Sequence, residues 1–359
     1  MNNRLKLLVM FAVIMLLQNC TSDDREIIID TPPASGNYAN GIFVLNEGGY
    51  TYSNASVSFI DAYGQVYNNV FFAVNGRGLG DVAQSMSFYE DKAYLLVNNS
   101  NTIEVVNRYT FEYITTIENN ILNPRYMTFV GDKGYITNWG DPADTTDDYV
   151  AVLDTQTNTI VNTISVAEGP ESILNNNGTL YVAHKGGLGY GNTISVLNAA
   201  IETVTTSIEV SDVPGNMVMH NNSLYVICAG KGNYTGDETL AGFYKINMAT
   251  NQIEDEIVFA DGVHPGYLEI SNNSLYYTLN ADVYTMALND FTLPTSPLFT
   301  TTNENLGVLY GFKIINENIY IADAKDYVSN GEVLVYNLQG DYQEGFNVKI
   351  IPNGFYNNN

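Results

Sequence analysis

The sequence predicts an all-β fold, a seven-bladed β-propeller with four antiparallel strands per blade, and three observations carry that expectation. An aromatic residue opens a short apolar run seven times, at Phe43, Tyr94, Tyr135, Tyr181, Tyr225, Tyr276 and Tyr320. The intervals, about 41 to 51 residues, match the length of one four-stranded blade. Composition agrees: 27 Tyr, 46 Asn and 30 Gly stand beside a single Trp in 359 residues, which suits half-buried strands joined by many tight turns. The final segment, Ile351 to Tyr356, has the pattern of the one strand that the first repeat lacks. Both chain ends are therefore expected in one blade, which closes the ring and removes its open edge.

The elements follow in order. Arg4 and Lys6 precede the apolar run Leu7 to Leu17, and Cys20 follows. A basic head and an apolar run too short to span a bilayer read as an export signal over residues 1–19. Leu17-Gln18-Asn19-Cys20 resembles a bacterial lipobox, with Asn19 where a small residue is usual, which implies acylation of Cys20. Thr21-Ser22-Asp23-Asp24 resembles the acidic tag that sends lipoproteins to the outer face of the outer membrane, implying a lipid-anchored cell-surface protein. Residues 20–40, with Pro32-Pro33, read as a flexible linker, and residues 41–359 as the propeller. Cys20 and Cys228 are the only cysteines, so no disulfide framework is expected, and Cys228 in Tyr225-Val226-Ile227-Cys228 reads as a small buried hydrophobe.

Within each repeat the aromatic-anchored strand is followed by a second one ending in Asp or Asn, as in Val57 to Asp61, Ile103 to Asn107, Val150 to Asp154, Ile194 to Asn198 and Val333 to Asn337. A further strand is clearest at Thr159 to Val166 and Thr203 to Val210. The remaining one starts at a turn that often holds Pro, as in Asn123-Pro124, Gly169-Pro170, Val213-Pro214 and His264-Pro265. The sixth repeat, containing Ala281 to Leu293, is the least regular.

Charge limits the partners. With 14 Lys+Arg against 39 Asp+Glu the net charge is −25, and nucleic-acid binding needs the opposite balance. In a propeller whose inner strand leads each blade, the loops before inner strands and between second and third strands share one face around the central channel, and function belongs to such loops. That rim collects Tyr50, Tyr52, Arg77, Asp81, Arg125, Tyr126, Trp139, His184, Lys185, Tyr190, Lys231, Tyr234, His264, Tyr267, Tyr310 and Tyr327 as ligand-binding candidates. Tyr and Trp join an apolar face to a polar tip, which suits a large flat ligand bearing amides or hydroxyls. Catalysis finds little support. His184, His220 and His264 are scattered, no Ser sits on a nucleophile elbow, and no His or Cys pair has zinc spacing. Asp141, Asp144, Asp147 and Asp148 lack calcium-loop spacing and read as a solvated loop, and Gly186 to Gly191 lacks the pattern of a phosphate cradle. No catalytic residue, metal or intrinsic cofactor is expected.

Gly41-Ile42-Phe43-Val44-Leu45-Asn46-Glu47-Gly48, followed by Ala55 to Asp61, resembles the opening blade of the BtuG-type surface lipoproteins, which capture cobalamin beside a TonB-dependent outer-membrane transporter. The likeness runs through the Tyr-anchored repeats and Asn138-Trp139-Gly140 to the end, and the repeat is shared with YncE- and YVTN-like propellers. The resemblance implies a non-enzymatic protein with cobalamin or another corrinoid as bound ligand and the transporter as partner. A surface glycan- or protein-binding propeller is the alternative, and an extracytoplasmic hydrolase or lactonase with a rim metal a third.

Overall fold

Residues 38–359 are described in a computed structural model of the chain; the segment expected to be an export signal, Cys20 and the expected linker up to residue 37 lie outside the described residues. Seven four-stranded antiparallel sheets follow one another along the sequence. Blade one holds β1 (Gly41–Asn46), β2 (Ser56–Asp61) and β3 (Val66–Tyr67), and a short helix α1 (Val70–Asn75) follows. Blade two is β4 (Ala83–Tyr89), β5 (Lys92–Val97), β6 (Thr102–Asn107) and β7 (Tyr113–Ile117); blade three is β8 (Pro124–Val130), β9 (Lys133–Asn138), β10 (Tyr149–Asp154) and β11 (Thr159–Ser165). Blade four is β12 (Pro170–Asn176), β13 (Thr179–His184), β14 (Thr193–Asn198) and β15 (Thr203–Glu209); blade five is β16 (Pro214–His220), β17 (Ser223–Cys228), β18 (Gly242–Asn247) and β19 (Gln252–Val258). Blade six is β20 (Leu268–Ser271), β21 (Ser274–Leu279), β22 (Asp282–Ala287) and β23 (Phe299–Thr300). Blade seven is β24 (Leu309–Ile315), β25 (Asn318–Asp323), β26 (Asn330–Asn337) and β27 (Tyr342–Ile350), and β28 (Pro352–Asn357) returns to blade one.

The expected closure is present. β28 pairs antiparallel with β1, from Ile42 opposite Asn357 to Asn46 opposite Pro352, and so becomes the innermost strand of blade one. The inner strands β4, β8, β12, β16, β20, β24 and β28 each touch the next, and β28 touches β4, so the ring has no gap. Each aromatic anchor sits in the second strand of its blade. The second strands are buried along nearly their whole length, as in β5, β9 and β13, because both faces of each sheet are covered by neighbouring blades. Outer strands such as β11 and β15 are mostly exposed.

Packing is organised by interface. Seven apolar clusters each join two adjacent blades: one unites Tyr94, Leu96 and Val105 of blade two with Met127, Ile136 and Leu153 of blade three. The next unites Tyr135 and Val152 with Ile173 and Val182, and the last unites Val44 and Ile60 with Ala322 and Val335 across the closure. Anchor tyrosines add a polar tie, since a buried hydroxyl needs a partner. Tyr135 donates to the Ala199 carbonyl at 3.1 Å, and Tyr181 to the Met248 carbonyl at 3.1 Å, each reaching the outer hairpin of the next blade. The abundance of Asn has a backbone cause: fourteen asparagines hold φ between 47° and 58°, the left-handed region that Asn tolerates in tight turns.

Four details differ from expectation or bear on it. The packed body includes Tyr38, two residues before the end assigned to the linker; its fully buried ring lies 5.3 Å from Phe59 and 5.9 Å from Phe43 and Phe111. Helix α1 stands where the outer strand of blade one has shrunk to two residues, and it buries Val70 and Phe71 against the first interface. Blade six is irregular as expected, with a two-residue outer strand. Cys228 is buried and unbridged.

Phe43 is fully buried among Tyr38, Phe59, Phe88 and Phe111. Phe43→Ala is expected to lower stability by about 3–5 kcal/mol, whereas Tyr63→Ala, at a side chain 97% exposed, changes it by less than about 0.5 kcal/mol. Urea denaturation followed by circular dichroism checks both.

Candidate functional site

One backbone device, repeated around the ring, builds the mouth of the channel. The residue just after the second strand donates its N–H to the carbonyl just before the inner strand of the same blade: Glu47 to Ile351 (2.7 Å), Asn98 to Val82 (2.8 Å), Trp139 to Asn123 (3.2 Å), Lys185 to Gly169 (2.9 Å), Ala229 to Val213 (3.0 Å) and Ala324 to Val308 (2.9 Å). In five of these blades the acceptor is in the left-handed region, including the β-branched Val82, Val213 and Ile351 at φ 57–62°. Such residues cost roughly 1–3 kcal/mol each and persist only where the surroundings impose them. Immediately afterwards the inner strand slips register, between Ala83 and Ser85, Pro124 and Met127, Pro170 and Ile173, Pro214 and Asn216, and Leu309 and Gly311. A bulge re-aims side chains, and the re-aimed residues face the channel.

They enclose a cavity of about 450 Å³ whose wall includes Glu47, Gln84, Arg125, Tyr126, Glu171, Lys185, Tyr267, Tyr310 and Asn353. Arg125 and Glu171 form a buried two-point pair, Nε to Oε2 at 3.0 Å and Nη2 to Oε1 at 2.8 Å. The guanidinium also lies 3.9 Å from the centre of the Trp139 ring, whose Nε1 donates to the Pro170 carbonyl at 3.1 Å. Burial is the largest single influence and opposes both charges, but the partner's charge and hydrogen bonds, with those of nearby groups, together outweigh it, so the Glu171 carboxyl is held below and the Arg125 guanidinium above its ordinary range. Burial pushes the Tyr126 hydroxyl up to about 12 and those of Tyr267 and Tyr310 still higher, so all three are neutral donors. Gln84 donates to Tyr126 at 3.3 Å, and the Tyr310 ring meets Tyr327 edge-on at 5.5 Å.

The cavity continues sideways into a groove of about 690 Å³ that shares Lys185, Val213 and Ala229 with it. Two glycine-rich loops wall this groove, one bearing Leu188 and Tyr190, the other Asn233 and Tyr234, with His264 at its base. Gly186 and Gly230, at φ 101° and 68°, meet backbone where a Cβ would stand, so these tight folds need glycine. His264 contacts the Ala229 carbonyl through Nδ1 at 2.7 Å and Glu238 through Nε2 at 2.9 Å. Despite partial burial, these acceptors raise its pKa.

The rim candidates thus divide. Arg125, Tyr126, Lys185, Tyr267 and Tyr310 line the mouth; Lys185, Tyr190, Tyr234 and His264 line the groove. Tyr50 and Tyr52 project from the first rim loop, 70% and 76% exposed. Tyr327 packs on Tyr310, Lys231 pairs with Asp237 and Asp212, and half-buried Trp139 supports Arg125 from the side. Three assignments are corrected. His184 is 1% exposed and faces Ser195 at 2.8 Å, because it ends β13 pointing between blades while the next residue, Lys185, points to the mouth. Arg77 pairs with Glu104 at 2.7 Å and stacks on Phe71 and Tyr113, away from the cavity wall. Asp81 is buried and accepts from the Thr51 N–H at 3.0 Å and from Asn99 at 2.6 Å, so it shapes the Tyr50–Tyr52 loop. The acidic loop uses its carboxylates as turn caps, Asp141 for Ala143, Asp144 for Thr146 and Asp148 for Gly169. Sequence reasoning missed Glu47, Gln84 and Asn353 as wall residues. Aligning the two residues that follow each interblade Pro, or its replacement, is the signal that finds Gln84 and Asn353.

Residues 40–358 match the model of a family described as a domain of unknown function (DUF5074), and the chain belongs to that family. No curated protein matches. Among solved structures it is similar to a quinonprotein alcohol dehydrogenase-like protein from Bacteroides thetaiotaomicron, with a TM-score of 0.67 and 14% identity over 90% of this chain and 79% of that one. It is also similar to the dihydro-heme d1 dehydrogenase NirN in complex with DHE (TM-score 0.56, 11% identity, 91% and 76% covered). The computationally designed Ika8 protein is a further match (TM-score 0.57, 11% identity, 87% and 88% covered). At these identities the likeness establishes the propeller fold alone.

Arg125→Met leaves Glu171 buried and uncompensated, with an expected loss of about 3–5 kcal/mol, most of which the double variant Arg125→Met/Glu171→Met recovers. Chemical denaturation of the three proteins checks this. Burial, only partly offset by the backbone at Ala167 and Glu168, holds the His184 pKa down to about 4, against 6.5 for an ordinary histidine. The unfolded chain therefore takes a proton that the folded chain refuses. That stability is complete above pH 6.5 and is lost progressively as pH falls toward 4, on the order of 3 kcal/mol at most. His184→Gln is expected to flatten this part of the decline, measured as the urea midpoint at pH 7 and 4.5.

Proposed function

We propose that the rim face captures a bulky, neutral molecule rich in amides and hydroxyls without transforming it, and that this ligand is a corrinoid handed to a TonB-dependent outer-membrane transporter. The observation that carries the reading is the continuity of a tyrosine- and amide-lined mouth with an open groove walled by Tyr190 and Tyr234. Such a site offers ring faces and neutral donors over a broad area, which suits a flat ligand edged with amides. The strongest acid–base pair of the mouth, Arg125 with Glu171, is already mutually satisfied and positions the wall. Acylation at Cys20 would hold the domain at the cell surface, where capture and transfer take place.

A glycan is the second reading, favoured by Tyr50 and Tyr52, whose rings stand exposed on the rim loop in the manner of sugar-stacking platforms. The readings separate cleanly. Isothermal titration calorimetry with cyanocobalamin is expected to show binding that Tyr190→Ala/Tyr234→Ala weakens at least about tenfold. Both side chains are exposed, at 49% and 85%, so the fold is kept. Absence of heat and of any spectral change at micromolar protein overturns the corrinoid reading, and a glycan-array signal abolished by Tyr50→Ala/Tyr52→Ala establishes the other.

A further inference from the structure

We propose that Glu47 is the counter-group for a protonated amine, seated in the mouth against Tyr126, Tyr267 and Tyr310. This goes beyond the capture reading, because it stands on the cavity alone, whichever ligand fills the lateral groove.

Glu47 is held from both sides of its backbone, its N–H on Ile351 at 2.7 Å and its carbonyl receiving the Ala83 N–H at 3.0 Å, so its side chain is fixed on the cavity wall. Its carboxylate is poorly served there. Tyr310 donates to Oε1 and Asn353 to Oε2, both at 3.4 Å, the long end of the hydrogen-bond range. Asn353 also donates to the Ala83 carbonyl at 2.9 Å, its shorter bond. Among the described residues no ion pair is formed by Glu47, although it is only partly exposed. The other charges of the mouth are committed or distant. Arg125 spends Nε and Nη2 on Glu171, and exposed Lys185 lies on the opposite wall, where it acts on Glu171.

Burial is the dominant influence on Glu47 and raises its pKa, with Tyr310, Arg125 and Asn353 pulling the other way. A buried carboxylate lacking its own counter-charge gains most from a ligand that supplies one. A neutral amide or hydroxyl satisfies its hydrogen bonds but leaves the charge. An ammonium group satisfies both, while tyrosine rings attract it through their negative faces and cover its alkyl carbons. The chain's net charge of −25 draws cations toward the whole molecule and disfavours anionic competitors.

Butylammonium and butan-1-ol, equal in shape and different in charge, test the assignment by ligand-observed NMR on the intact protein at neutral pH. The expected result is that the amine binds at least about tenfold more tightly than the alcohol and that Glu47→Gln removes the difference. Tyr310→Phe, which keeps the ring and deletes one donor to Glu47, is expected to bind the amine at least as well. Affinity for the amine should weaken as pH falls, beginning above the ordinary glutamate range because Glu47 is raised. Equal binding of amine and alcohol, no binding of the amine, or undiminished binding by a folded Glu47→Gln protein overturns the proposal. Neither probe is a corrinoid or a glycan, so this result and the calorimetric one fail independently.

Discussion

Every sheet of this ring is apolar on both faces, so each blade is stable only while both neighbours cover it, and the pairing of β28 with β1 is the contact on which all seven interfaces depend. Without that pairing, blade one loses its inner strand and the clusters beside it lose a wall. The unusually long burial of the second strands follows from the same condition. A strand covered on both faces has no polar side to present, which is why the repeats carry near-continuous apolar runs between polar turns. The anchor tyrosines suit this setting, since a large ring fills the interface while its hydroxyl reaches a carbonyl of the next blade.

The same closure creates the mouth. Inner strands crowd toward the axis, and most meet the constraint with a left-handed or proline-bearing entry, a slipped register, or both. The strand entry recurs around the ring, but the side chains it places on the wall differ from blade to blade: Gln84, Arg125 with Tyr126, Glu171 with Ser172, Asn216, Tyr267, Tyr310 and Asn353. A repetitive scaffold thereby presents an asymmetric set of donors, acceptors and rings, the arrangement a specific ligand requires. Strain sits at this wall in Val82 and Val213, and next to it in Ile351, where hydrogen bonds from the adjoining second strands hold each carbonyl in place.

How far the site was legible depended on strand parity. Connectivity placed most candidate tyrosines around the channel mouth and its groove, where the structure has Tyr126, Tyr267, Tyr310, Tyr190 and Tyr234. At the end of β13, however, one residue of phase separates a buried His184 from an exposed Lys185, and two polar neighbours in sequence give no hint of which is which. Arg77 precedes an inner strand and so looked like a rim residue, yet α1, which no repeat announces, turns it outward onto Glu104 and Phe71. Glu47 escaped notice for the opposite reason: it lies inside an apolar opening run whose fold-defining pattern concealed a wall position.

By itself the sequence determined the number of blades, the four-strand unit and the closure of the ring by its two ends. These are consequences of periodicity and turn chemistry, which are written locally. Only the tertiary structure decided which polar residues are spent on one another and which are left with long hydrogen bonds. Arg125 is satisfied by Glu171 from the neighbouring blade, 46 residues away, and Glu47 meets Tyr310 and Asn353 from the far end of the chain. Such pairings arise where the ring brings distant segments to one axis, and no local pattern encodes them.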